Sequence, residues 1–244
     1  MARSITNFSR LVLFGHSHEL RAEEAILANE LGLPWVIASV SQVLRKRIVI
    51  EPSDLPVGSI AFMRAALQQR GRIFPAPNDY PVPLRPWLLR TPQLTSLETV
   101  LGELAVNGVS IFVKPAESVK RFTGFVLEDA NDYRLAGVSR KLKVWTTPVV
   151  DIGSEWRYYV AGGRVVATGF AAPGREPDQA VVDAAVSAYA GAPDGYALDF
   201  GVLRDGRTML IEANDGLAIG LYRGASAVAY AEVLAARWSE LAAA

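Results

Sequence analysis

Two apolar runs facing each other across an Asp-Gly dipeptide constrain this chain more than any other feature. Ala197, Leu198, Phe200, Val202 and Leu203 precede Asp205-Gly206, and Met209, Leu210 and Ile211 follow it. Asp-Gly suits a two-residue primed turn, which needs positive φ at both positions, so the spacing predicts an antiparallel hairpin over residues 197–214. A two-residue loop sets Asp199 directly opposite Glu212. Alternation along the strand puts Asn214 on the same face as Glu212. Facing β-carbons lie about 4.5–5.5 Å apart, so three oxygen-bearing side chains share one patch. Two carboxylates that close repel unless a proton or cation lies between them. Oxygen-only donors suit a hard cation, with Mg²⁺ first and Mn²⁺ as a substitute. The alternative is an exposed polar hairpin face, but charge without a partner is costly among such apolar neighbours.

A second hairpin is predicted over residues 155–170, turning at Gly162-Gly163. Glu155, Arg157 and Tyr159 then share a polar face, and Trp156, Tyr158 and Val160 an aromatic core face. Arg157 on a rigid strand is suited to a transferring phosphoryl group, and Glu155 to a ribose. Pairing between the two on a wet sheet is the alternative. The chain carries 20 Arg against 5 Lys, so each lysine is an exception. Lys114 ends an apolar strand at Pro115, Lys120 sits in the turn before Gly124, and Lys141 and Lys143 flank a further strand. A compact ammonium at Lys114 or Lys120, with Ser118 and Thr123 nearby, suits phosphate oxygens. Ordinary surface lysines are the other reading.

The rest of the chain supplies a frame for these segments. Residues 11–14, 35–38 and 47–50 read as strands, and 19–31 and 59–69 as helices, a small α/β unit with a parallel sheet. Six of 14 prolines fall between residues 75 and 92, which predicts an extended connector and the domain boundary, with no helix or central strand. Beyond it, helices over 95–106, 179–190 and 225–241 alternate with strands over 110–113, 124–127 and 142–150 and the two hairpins. The fold class is therefore α+β with an α/β beginning.

Taken in order, these segments resemble the ATP-grasp superfamily, in a divergent branch that includes the eukaryotic translation initiation factor assembly protein and small bacterial and phage proteins. The resemblance covers Phe112-Val113-Lys114-Pro115, the Lys120 loop, Lys143-Val144-Trp145, Glu155-Trp156-Arg157, Asp199-Phe200-Gly201-Val202 and Ile211-Glu212-Ala213-Asn214-Asp215-Gly216. It implies two antiparallel-sheet lobes clasping ATP, about 91–143 and 144–244, behind an N-terminal α/β domain over about 1–90. It also implies phosphate contacts from Lys114 and Lys120, and adenine against the backbone of Val144-Trp145, next to Lys143. Glu155 would serve ribose or adenine, Arg157 the transferred phosphoryl group, and Asp199, Glu212 and Asn214 the Mg²⁺. The loop near Lys120 departs from the glycine-rich covering loop of ordinary ligases, having only Gly124.

By the same resemblance the expected activity is Mg-ATP-dependent carboxylate–amine ligation through an acyl-phosphate, on a small molecule, peptide or protein. A nucleotide-binding assembly factor with little turnover and a phosphotransferase are the rivals. A ligase needs a second pocket, for which His16, His18, Asn78, Asp79, Tyr80, Arg85 and Arg90 are candidates; strand-end and helix-cap polarity is the simpler role for the two histidines.

Composition narrows the classes further. Lys plus Arg and Asp plus Glu balance at 25 each, which argues against nucleic acid as the main partner. With no Cys, thiol catalysis and Cys-ligated zinc are excluded. No apolar run reaches the roughly 18 residues that span a bilayer, and a cytoplasmic location is expected. A homo-oligomer is compatible with the sequence.

Overall fold

The computed structural model describes residues 5–16, 19–116 and 121–243. Lys120, Ser118 and His18 lie outside them. The chain opens with β1 (Arg10–His16), β2 (Glu19–Leu20), α1 (Ala22–Glu30), β3 (Trp35–Ala38), α2 (Val40–Leu44), β4 (Asp54–Val57) and α3 (Ile60–Gln69). There follow β5 (Gln93–Ser96), α4 (Leu97–Asn107), β6 (Ile111–Pro115), β7 (Phe125–Leu127), β8 (Lys143–Pro148), β9 (Ile152–Ala161) and β10 (Arg164–Ala172). The last elements are α5 (Gln179–Ala188), β11 (Gly195–Leu203), β12 (Thr208–Asp215) and α6 (Ala227–Ala243).

Three sheets organise these elements. β1 pairs in parallel with β3 on one side and β4 on the other, and β2 adds antiparallel at the end of β1. The other two sheets are antiparallel, in the orders β5-β8-β6-β7 and β10-β9-β11-β12. The third strand of the parallel sheet is Asp54–Val57, which corrects the expected strand at 47–50. Residues 45–48 are instead turns and bends after α2, with Lys46 at φ 53°. Pro56 is tolerated in β4 because that strand pairs on one side only. A second correction concerns the proline-rich stretch, where a 3-10 helix forms over Val82–Trp87. Pro83 falls in its first turn, where an N–H has no partner to lose.

The β10-β9-β11-β12 sheet is covered on both faces. Tyr158, Val160, Leu198 and Phe200 pack with Val182 and Ala185 of α5 and with Tyr80, Leu84 and Leu88 of the connector. On the reverse face Tyr159 and Ala197 join α6 and the core of the parallel sheet. The expected polar face of β9 is therefore dry, since Arg157 and Tyr159 are both buried. Every residue of β11 is buried, which is why it reads as an unbroken apolar run with Asp199 as its one charge.

The second hairpin turns as expected at Gly162-Gly163, between Ala161 and Arg164. The first does not. Leu203 pairs with Arg207 around a three-residue loop, Arg204-Asp205-Gly206, with Gly206 at φ 88°. That loop shifts the register by one residue, and a bulge at Ile211 shifts it back. Phe200 faces Leu210, whereas Asp199 faces Glu212. The expected facing pair is present, through two irregularities that offset each other.

α6 reaches this sheet at backbone distance. A β-carbon on Gly195 would lie 2.1 Å from the Val233 carbonyl oxygen and 2.8 Å from the Arg237 amide nitrogen. Gly195→Ala should therefore lower the unfolding free energy by about 2 kcal/mol or more, since neither backbone can yield cheaply. Gly102→Ala in α4, where a β-carbon meets nothing within 4 Å, should raise it by about 1 kcal/mol. Urea unfolding of both variants checks the pair of expectations.

Candidate functional site

An open cleft of about 380 Å³ lies between the two antiparallel sheets. On β6, Val113 turns toward α4, so alternation sends Phe112 and Lys114 to the other face, into the cleft. Across from them stand Glu155 of β9 and Ile211, Glu212 and Asn214 of β12. The connector contributes Asp79 and Arg90, and the crossing from β8 to β9 contributes Val149, Val150 and Ile152.

A row of charges crosses the floor. Arg157, Asp199 and Glu212 are in register across β9, β11 and β12. Arg157 donates from Nε to Asp199 Oδ1 and from Nη2 to Oδ2, both at 2.7 Å. Asn214 Nδ2 donates to the same Oδ2 at 3.0 Å. Lys114 closes the row, donating to Glu212 and lying 2.9 Å from Asp79. Four alternating charges thus neutralise one another, with a fifth, from Asp79, at the end.

Burial sets how firmly each pair holds. Arg157 is 6% exposed and Asp199 2%. Burial alone disfavours the charged guanidinium, but the hydrogen bonds and charge of Asp199 outweigh it and hold Arg157 above its ordinary range. Burial likewise works against the Lys114 ammonium, and Glu212 and Asp79 raise it. For Glu212 burial is overcome by Lys114, so its pKa falls below the ordinary 4.5. Glu155 moves the other way, raised by burial and then by the Asp199 charge.

The segment after β12 folds over Arg157. Its Nη1 donates to the Gly220 carbonyl at 3.3 Å, and the Tyr222 ring lies 3.9 Å from the guanidinium carbon. Tyr159 fixes this segment, donating its hydroxyl to the Gly220 carbonyl and accepting the Tyr222 N–H. Burial pushes the Tyr222 hydroxyl up to about 12, so it stays a donor, and Glu155 Oε1 is its acceptor at 3.5 Å. Arg90 is aimed by the residue before it: Leu89 adopts φ 49°, a left-handed conformation costing roughly 1–2 kcal/mol. Arg90 Nη2 then donates to the carbonyl of Ile211, the bulged residue, and its buried Nε has no partner.

Of the residues singled out by sequence, Lys114, Glu155, Glu212 and Asn214 line the cleft together. Asp199 and Arg157 lie beneath that wall. Lys143, Val144 and Trp145 do not line it. Lys143 is exposed at the start of β8 and Val144 is sealed against α4, while both β5 and β6 pair with their backbones. Trp145 shares the face of Lys114 but packs edge-on against Tyr80. Of the second-pocket candidates, Asp79 and Arg90 reach the cleft; His16, Asn78 and Arg85 do not line it. Val149, Val150 and Tyr222 escaped the sequence reading, having no charge or motif to mark them.

The donors suit a small hard cation in type. Glu212 and Asn214 present oxygens to the cleft, and the bond from Asn214 Nδ2 to Asp199 leaves its carbonyl oxygen as the acceptor. Among the described residues no three His, Asp or Glu side chains gather as a metal cluster. Asp199 differs from the other two donors because Arg157 covers both its oxygens.

Comparison with known proteins decides the family. A family model described as an "ATP-grasp domain", the second family of its clade, matches residues 94–233, more than half of the chain. This chain is an ATP-grasp protein of that family. The ATP-grasp fold is seen again in the crystal structure of D-cycloserine synthetase DcsG, with a TM-score of 0.58 at 15% identity over 93% of this chain and 99% of that one. For the D-alanine–D-alanine ligase of Bacillus anthracis the TM-score is 0.55 at 12% identity, over 93% and 96% of the two chains. The ATP-grasp ligase PsnB, complexed with a phosphomimetic precursor variant, Mg and ADP, gives 0.51 at 13% identity over 94% and 97%. No curated protein sequence matches this chain significantly. No helix among the described residues is long and apolar enough to cross a membrane.

Two expectations follow from the charge row. Arg157→Met should cost about 3–5 kcal/mol by stranding Asp199, and the double variant Arg157→Met/Asp199→Leu should recover most of it; denaturant unfolding of both measures this. For Glu212, whose folded pKa is depressed, the stabilisation is present above the ordinary 4.5 and lost as pH falls through the folded value. Lys114 is raised, so its share is full below the ordinary 10.5 and lost as pH climbs through the folded value. Glu212→Gln should thus destabilise by about 1–3 kcal/mol, uniformly between about pH 5 and pH 9, with the difference closing in acid.

Proposed function

We propose that this chain is a Mg-ATP-dependent carboxylate–amine ligase. The observation that carries the reading is the convergence of Lys114, Glu155, Glu212 and Asn214 from two sheets on one cleft of an ATP-grasp protein. In the reaction a carboxylate oxygen attacks the γ-phosphorus and ADP departs. An amine then attacks the acyl carbon, forming an amide and releasing phosphate. The demand on the protein is positioning and neutralisation of charge on the phosphoryl oxygens.

The residues divide that work as follows. Lys114 leaves Glu212 and Asp79 for phosphate oxygens, so its charge is conserved while its partner changes. Arg157 moves from Asp199 to the transferred phosphoryl group, and Tyr222 and Gly220 limit where its guanidinium can go. Glu212 and Asn214, and Asp199 once uncovered, would hold Mg²⁺, which supplies Lewis-acid neutralisation of the phosphates. The backbone from Val149 to Ile152, with Phe112 and Ile211, offers an apolar seat for a base, and Glu155 lies where it can accept from a ribose hydroxyl. Arg90 adds a buried cation with a spare donor. Lys120 keeps its phosphate role from the sequence resemblance alone. Small molecules, peptides and proteins are all admitted as substrates; PsnB, a ligase with this fold, has been captured with a precursor.

ADP release from Mg-ATP by the purified protein, with and without amino-acid and peptide pools, tests the reading. Stimulated release with a new amide mass is expected, and chelation of the metal should abolish it. Lys114→Ala should weaken binding of a non-hydrolysable ATP analogue at least about 10-fold, the size of a lost charge-assisted bond. ATP binding with no stimulated ADP release from any pool would sink the ligase reading.

A further inference from the structure

A second cavity, of about 540 Å³, lies beside the ATP cleft and plays no part in the nucleotide reading. One wall is the outward stripe of α3, where Ile60, Ala61, Arg64, Ala65 and Gln68 recur at helical spacing. The small side chains at positions 61 and 65 open the space. α2 supplies Val40 and Leu44, and Leu44 is half exposed at the rim. Arg21 and Ala218 complete the lining.

Three features point to a ligand. The charge among the lining residues is all of one sign, from Arg21 and Arg64, and the lining includes no acidic residue. Both guanidinium groups are oriented by aromatic rings, Arg21 over Phe14 at 5.0 Å and Arg64 over Phe74 at 5.3 Å. The remaining walls are largely aliphatic, and the size falls within the roughly 300–1,000 Å³ of small-molecule sites. The cavity also adjoins the reaction zone: Ile60 lines both it and the cleft, and Ala218 is two residues from Gly220, whose carbonyl accepts from Arg157.

We propose that this cavity binds a small aliphatic carboxylate as a substrate, with its carboxylate recognised by Arg21 and Arg64 rather than activated, and its body against Val40, Leu44 and Ile60. Its role as a substrate rests on the ligase reading above; its existence as a binding site does not. A paired arginine fork matches carboxylate geometry, and the aliphatic walls disfavour a ligand that is polar throughout. Such a substrate reaches the γ-phosphate end through the opening at Ile60.

Ligand-observed NMR on the full chain without nucleotide tests this. The probes are L- and D-alanine, valine and leucine, with butyrate and isovalerate, each beside its primary amide. At least one acid should bind, with its amide at least about 10-fold weaker. Arg21→Ala and Arg64→Ala should each weaken that acid by a similar factor. Ala61→Leu, which fills the space and leaves both charges, should block it while unfolding as the wild type does. Acids binding no better than amides, variants binding as the wild type does, or no acid binding at all would each overturn the proposal. ATP-analogue affinity in the same samples separates the two readings, because it can fail while the acid still binds, and the reverse.

Discussion

The bidentate pair of Arg157 and Asp199 is the interaction on which the site is built. A carboxylate in the centre of a strand buried on both faces is tolerable only with a cation fixed against it. Once that pair is in place, much of the surrounding structure follows. Asp199 orients the Asn214 amide, Arg157 anchors the 219–222 segment through Gly220 and Tyr222, and Glu212 is left to face Lys114 across the cleft. Lys114 in turn ties the β5-β8-β6-β7 sheet to the β10-β9-β11-β12 sheet and to the connector through Asp79.

This gives the site a particular economy of charge. Each cation suited to phosphate already faces a carboxylate suited to a metal ion, so the protein folds with no large uncompensated charge in the cleft. Entry of a metal–nucleotide pair, itself of mixed sign, exchanges partners on both sides. Such an exchange avoids the larger penalty of exposing bare charge in a half-dry cleft, where Coulomb energies exceed those in water.

Much of this was legible in the sequence, for reasons that can be named. The hairpins were legible because Gly-Gly and Asp-Gly punctuate long apolar runs, and Ser59 and Ser96 cap α3 and α4 with their side-chain oxygens. Lys114 was legible as a charge at the end of an apolar strand. The bulge at Ile211 left no such trace, because a single extra residue within an apolar run changes no composition; the pairing of Asp199 with Glu212 was reached although the loop is one residue longer than expected. Asp79 looked like a turn residue because its partner is distant in sequence, and Val149 and Val150 look like ordinary strand. The dry reverse face of β9 could not be read either, since it depends on α6 and the parallel sheet arriving from opposite ends of the chain.

The sealing of β11 on both faces also divides the charge row by its access to ions in solution. The outer members, Lys114 and Glu212, have side chains 15% and 24% exposed, within reach of the mobile atmosphere of dissolved salt. The inner pair is walled off by α5 on one side and α6 on the other. Raising ionic strength therefore loosens the gate between the sheets while leaving the latch behind it untouched, so the two halves of one network answer to different solvents.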